Sequence, residues 1–195
     1  PDDQRLNGDV VRESLHGVVP SPNDVSELGQ YVIDPAQRRV VEQRRIAGDE
    51  LWGIALYAAR EVPAWSAIPE RLRHSYWFSS GLWDDTYTLF MRAQYEVYDG
   101  RIVPADTVDR LVRGGGMPAT LMCVDLEAFE VCDRYAYQPG VAMSSPQFVP
   151  DPARAGDRGG WITTIVWNAA GAFLWVFDAE HLAQGPIAEV ALPVV

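Results

Sequence analysis

Three histidines, two cysteines and a few clustered carboxylates are the side chains of this 195-residue chain with the chemistry to hold a metal or attack an electrophile. His16, His74 and His181 are scattered, and none belongs to a motif with metal-ligand spacing. His16 lies in a polar, loop-like stretch with no supporting residues around it. His74 follows Arg71 and Arg73, a cationic setting that disfavours a second cation, so a surface position is expected. His74-Ser75 suggests a base beside a nucleophile, but adjacent residues of a strand point to opposite faces and do not pair. His181 falls between two strand-like runs and is expected to face solvent.

Cys123 and Cys132 are nine residues apart, on the two arms of an expected hairpin. They lack C-x-x-C spacing, and the reading is two buried free thiols, with a cross-strand disulfide as the alternative. Asp84-Asp85 with Glu96 offers oxygen ligands for a divalent cation, although turn carboxylates usually face water. Gly114-Gly115-Gly116 follows a helix instead of opening one, so it is not a phosphate loop.

The elements that must position these groups are short. Val103–Val112 is the one good helix: Pro104 stands near its start, Asp106 in its first turn and the glycine triplet at its end. Elsewhere strand signals dominate. Residues 1–29 read as a loop or linker, and 30–195 as the structured part. Tyr31–Asp34 and Arg39–Ile46 form a hairpin closed by Ala47-Gly48-Asp49. Leu51–Ala59 reads as strand, with helix open. Tyr76–Trp83 and Tyr87–Val97 read as strands, and Thr120–Leu126 with Val131–Tyr137 as a second hairpin. Gln147–Val149, Trp161–Trp167, Ala172–Asp178 and Ile187–Leu192 complete an antiparallel meander. Three strands end in Asp (Asp34, Asp125, Asp178) before a short turn and the next strand. Repeated meanders suit propeller blades, and a sandwich equally well; all-β is common to both.

Charge narrows the partners. Sixteen basic and 27 acidic residues give 16 − 27 = −11, which repels nucleic-acid phosphates and anionic membrane surfaces. No apolar run approaches the roughly 20 residues of a transmembrane helix. With no secretory leader in view, a cytoplasmic location is expected. The chain starts at Pro1 without Met and ends on apolar Leu192–Val195, as a piece of a longer protein would.

Ser145-Pro146-Gln147-Phe148-Val149-Pro150, Gly160–Val166, Leu174-Trp175-Val176-Phe177-Asp178-Ala179 and Gly185–Pro193 occur in that order. Together they resemble the C-terminal end of the carotenoid cleavage oxygenases, whose sequences there read E-P-x-F-V-P, D-D-G-W, L-x-V-L-D-A and G-P-x-A-x-V-x-L-P. The resemblance covers residues 144–193 well, 30–46 less well and 47–119 poorly. It implies the C-terminal two to three blades of a seven-bladed β-propeller with one short helix. Trp161, Trp167 and Trp175 would then pack between blades. The resemblance also implies Fe(II) held by four histidines from different blades in the parent protein, O₂-dependent cleavage of a double bond, and a tunnel admitting an apolar substrate. On that alignment the ligands fall before Pro1 or near it and just after Val195, so this segment is expected to hold no iron and to contact the remaining blades. A glutamate that orients one histidine in the family is here Ser145, the acidic loop reads Asp157-Arg158-Gly159-Gly160-Trp161, and an E-F-P motif is not evident near Leu51–Ala59. A serine cannot accept an imidazole N–H with a carboxylate's charge assistance, which makes a non-catalytic propeller or sandwich binding module the alternative.

Overall fold

The computed structural model describes residues 25–59, 71–83 and 103–193, together with Tyr87, Arg92, Ala93, Glu96, Val97 and Gly100. The described residues are mostly β-strand, with a short helix at Ala105–Arg113. Strands β1 (Val25–Asp34) and β2 (Arg39–Trp52) form a two-stranded antiparallel ribbon. Strands β3 (Ile54–Ala58), β4 (His74–Ser79), β5 (Thr120–Asp125) and β6 (Glu130–Ala136) form a sheet in that order. Helix α1 (Ala105–Arg113) lies between β4 and β5 in sequence. The C-terminal sheet runs β11 (Pro186–Ala191), β10 (Gly171–Asp178), β9 (Gly160–Asn168), β7 (Ala142–Met143), with β8 (Gln147–Pro150) also paired to β9.

Among the described residues every strand pairing is antiparallel; short turns join β1 to β2, β5 to β6 and β9 to β10, while β4 and β5 are joined through the segment that carries α1. The aspartates that close strands explain how. Asp34 Oδ1 accepts the N–H groups of Ala36 and Gln37, at 2.8 and 3.0 Å. Asp125 Oδ1 does the same for Glu127 and Ala128, at 2.7 and 2.9 Å, and Asp178 Oδ1 for Glu180 at 2.8 Å. Each carboxylate replaces the ladder partner that the turning backbone has lost.

Three apolar clusters hold the layers together. The largest lies between the two larger sheets and includes Tyr76, Leu121, Cys123, Tyr137, Phe148, Ile162, Val166 and Phe177. Alternation places Leu121 and Cys123 on that face of β5 and Met122 and Val124 on the other, where they meet Leu28 and Leu51 of the ribbon. The helix buries Val108 and Val112 on Trp52 and Leu82. Arg44 pins the ribbon to the β5–β6 turn by donating to Glu127 O at 2.6 Å and stacking 5.5 Å from the Phe129 ring centre. Gln30 Nε2 adds a bond to Leu126 O at 2.9 Å.

Several boundaries differ from the sequence reading. Residues 25–29, placed in the 1–29 linker, are the first half of β1; residues 1–24 lie outside the described residues. Ala47-Gly48-Asp49 does not close β2, which continues to Trp52 because the longer β1 gives it a partner as far as Val25. Arg92, Ala93, Glu96 and Val97, read as strand, are helical. An Arg92–Glu96 ion pair at 3.4 Å has the i,i+4 spacing that suits a helix and not a strand. Trp175 does pack between sheets, stacked on Tyr137 with ring centres 5.6 Å apart. Trp161 and Trp167 instead lie half-buried on the opposite face of β9, since Ile162, Thr164 and Val166 take the core side.

Candidate functional site

A cluster of charged side chains lies where the β5–β6 sheet meets the β8–β9 loop and the segment after β10. A 3₁₀ turn at Leu182–Gln184 follows β10. Its first N–H groups are met from across the sheets: Asp133 of β6 accepts Leu182 N–H at 2.7 Å and Ala183 N–H at 3.1 Å. Arg158, from the β8–β9 loop, reaches the same Asp133 at 3.4 Å and donates to Ala179 O and Glu180 O at 3.1 and 2.8 Å. Arg154 grips both Asp178 oxygens at 3.1 Å and also bonds Glu180. Burial alone would raise the Asp178 pKa, but Arg154 and the Glu180 N–H outweigh it and hold the carboxyl below the ordinary range. Tyr76 sends its hydroxyl to Ala179 O at 2.8 Å beneath this network, and its burial pushes the phenol well above its usual range. The turn is thus clamped by side chains from three other segments.

His74 belongs to this seam. Its Nδ1 lies 2.6 Å from Asp157 Oδ2 and its Nε2 4.0 Å from Asp125 Oδ2, with the side chain largely buried. A surface position beside two arginines was expected; the fold instead brings up an aspartate 83 residues away. His181 is exposed as expected, 3.6 Å from Asp178. His16 and Asp84-Asp85 lie outside the described residues. Glu96 is exposed and paired to Arg92. Gly114 stops α1 as anticipated, its N–H returning to Arg110 O at 2.9 Å. Cys123 is fully buried, but Cys132 is exposed, which corrects the expectation of two buried thiols; both are free. Cys132 falls in the exposed set of β6 with Glu130 and Arg134, whereas Cys123 sits on the inner strand β5.

Ser145 sits half-buried on the link between β7 and β8. Neighbouring Ser144 and Thr164 set that link: Thr164 Oγ1 donates to Ser144 O and Ser144 Oγ accepts Ile165 N–H, each at 2.9 Å. Thr164 is 2% exposed, so these bonds satisfy a hydroxyl inside the core. Gly160 then lets β8 approach β9. Its φ is +156°, and a Cβ there would stand 2.4 Å from Val149 O and 2.9 Å from the Phe148 ring.

Among the described residues, no three His, Cys, Asp or Glu side chains converge on a point that would hold a metal. His74 is committed to Asp157 and His181 is on the surface, so the described residues alone do not fit an iron site. No described helix is long and apolar enough to cross a membrane.

Comparison with known proteins agrees with the all-β architecture. The structure resembles cobalt-substituted Synechocystis ACO, at 18% identity and a TM-score of 0.54. It also resembles an ACO/RPE65 chimera, at 16% identity and a TM-score of 0.55. In both cases 85% of this chain is covered but only 27% of the other, so the chain spans about a quarter of these proteins. No curated protein matches the chain. The family described as Retinal pigment epithelial membrane protein (RPE65) matches residues 5–195. The match takes in the hairpin, the helix and the whole C-terminal meander, and the chain therefore belongs to the retinal pigment epithelial membrane protein family, the carotenoid cleavage oxygenases.

Proposed function

We propose that this chain is the C-terminal two to three blades of a seven-bladed propeller whose whole protein cleaves a double bond of a carotenoid, apocarotenoid or stilbene-like molecule with Fe(II) and O₂. The family match over residues 5–195 carries this reading. The likeness of the fold to Synechocystis ACO supports it. Fe(II) held by histidines of the whole protein outside the described residues would supply an O₂-binding centre. The residues of this chain contribute scaffold, the Asp133–Arg158–Leu182 clamp holding one sheet against the next, and part of the wall of the tunnel that admits the apolar substrate. Partners are that substrate and the remaining blades.

Expression of the complete reading frame tests the proposal. Stoichiometric iron by elemental analysis, with loss of polyene absorbance and appearance of two carbonyl products, is the expected result. A second reading rests on Ser145, where the family places a carboxylate: a binding module that has lost its iron chemistry. It predicts polyene binding without iron and without loss of absorbance.

A further inference from the structure

Cys123 and Cys132 have no part in the function proposed above, yet their arrangement is specific. Strands β5 and β6 pair Cys123 with Asp133, and the register shifts between Cys123 and Val124. Cys132 is therefore the extra residue of a β-bulge, and Cys132 and Asp133 together oppose Cys123. The Cys132 thiol donates a hydrogen bond to Cys123 O at 3.5 Å. Burial differs sharply between them. Cys123 is 0% exposed. Cys132 opens on a groove of about 720 Å³ between β2 and β6, also lined by Arg45, Ala47, Glu130, Arg134 and Ala183.

The surroundings favour a thiolate at the exposed sulfur. The pairing with Cys123 is the main cause, burial opposes it, and Arg158 and His74 add to it, bringing the Cys132 thiol down to about 6. Cys123 moves the other way, held protonated by that pairing and by its burial. One sulfur is thus accessible and nucleophilic, and the other waits behind it as a proton-bearing resolving thiol.

We propose that Cys132 and Cys123 form a thiol–disulfide exchange site that takes a low-molecular-weight disulfide of the oxidised glutathione class from the β2–β6 groove. The Cys132 thiolate attacks one sulfur of the small disulfide; that S–S bond breaks, a mixed disulfide forms on Cys132, and one small thiolate leaves. Cys123 gives its proton to the departing thiolate and attacks the Cys132 sulfur. The mixed disulfide breaks, the second small thiolate leaves, and a Cys123–Cys132 bond forms. Two protein thiols are oxidised and one small disulfide is reduced to two thiols. Neighbouring antiparallel strands hold Cα atoms at about 4.5–5.5 Å, inside the range a disulfide spans.

The test is intact-protein mass spectrometry of the reduced full chain after incubation with oxidised glutathione. The expected wild-type product has lost two hydrogens and carries no glutathione. Cys123→Ala stops at one glutathione on Cys132, located by peptide mapping, and Cys132→Ser takes up none while it stays folded. Circular dichroism reports folding of each variant. Wild-type chain that stays reduced, or that stops at the mixed disulfide, overturns the proposal without recourse to any variant. Reaction of folded Cys132→Ser at the wild-type rate overturns it as well.

Discussion

Asp133 caps the 3₁₀ turn that begins at Leu182 although the two residues are 49 positions apart, the Leu182 N–H lying 2.7 Å from Asp133 Oδ2. A single carboxylate thereby joins β6 of one sheet to the segment between β10 and β11 of the next, and Arg158 completes it from a third direction. With this side chain only 14% exposed, its loss strands two N–H groups and takes one partner from Arg158, which keeps its bonds to Ala179 O and Glu180 O. Asp133→Ala is expected to cost about 1–3 kcal/mol and Asp133→Asn less, since the amide oxygen still accepts. Urea midpoints of the three chains check this order.

Acid should loosen the strand-end turns. Asp125 is held below the ordinary carboxylate value of 3.8 by the N–H groups of Ala128 and Glu127. Asp178 is held below it because Arg154 and the Glu180 N–H outweigh burial. A carboxyl whose folded pKa is depressed contributes stability that is present above its unfolded pKa and is lost as pH falls through the folded value. Stability should therefore be level near neutrality and fall from about pH 4 downward. Asp125→Asn should shrink that fall, read as a smaller difference in urea midpoint between pH 7 and about pH 3.

Gly160 has no room for a side chain. Alanine there would press on the Val149 carbonyl, a backbone atom that can shift only by parting β8 from β9. Strain of about 1–3 kcal/mol is expected, together with faster amide exchange along Gln147–Pro150 in Gly160→Ala than in the parent.

The outer strand β11 exposes Ile187 and Val190, at 59% and 52%, along an unpaired edge, and the β1–β2 ribbon exposes Tyr31, Ile33 and Val41. Open apolar edges recruit further strands. The isolated 195-residue chain should self-associate in sedimentation velocity, and Val190→Lys should shift it toward monomer. A strictly monomeric parent chain would count against the edge as the cause.

In the whole protein, Ser145→Glu should tighten iron if the position supports a ligand histidine. A carboxylate accepts an imidazole N–H with charge assistance that a hydroxyl lacks, and such partners are worth about tenfold or more in metal affinity. The expected readout is slower iron loss to a chelator with an unchanged fold.

Much of this protein was determined locally. β-rich apolar runs bounded by turn residues identified β5, β6, β9, β10 and β11 to within a residue or two, and Pro104, Asp106 and the glycine triplet bounded α1. The strand-ending aspartates Asp34, Asp125 and Asp178 were legible because their turns use the N–H groups of the next few residues. The four ordered motifs from Ser145 to Pro193 pointed to the family that the match over residues 5–195 bears out.

Tertiary structure alone decided the rest, because each remaining feature depends on a partner distant in the chain. β2 runs on to Trp52 because β1 begins as far back as Val25. His74, flanked in sequence by arginines, meets Asp157 only when the β8–β9 loop folds over β4. Cys132 stands in the exposed set of β6 with Glu130 and Arg134, on a strand that the pairing order leaves at the end of its sheet, while Cys123 on the inner β5 is buried. A sequence pattern records which face of an element is apolar; which charges meet across two sheets is set by how those sheets pack.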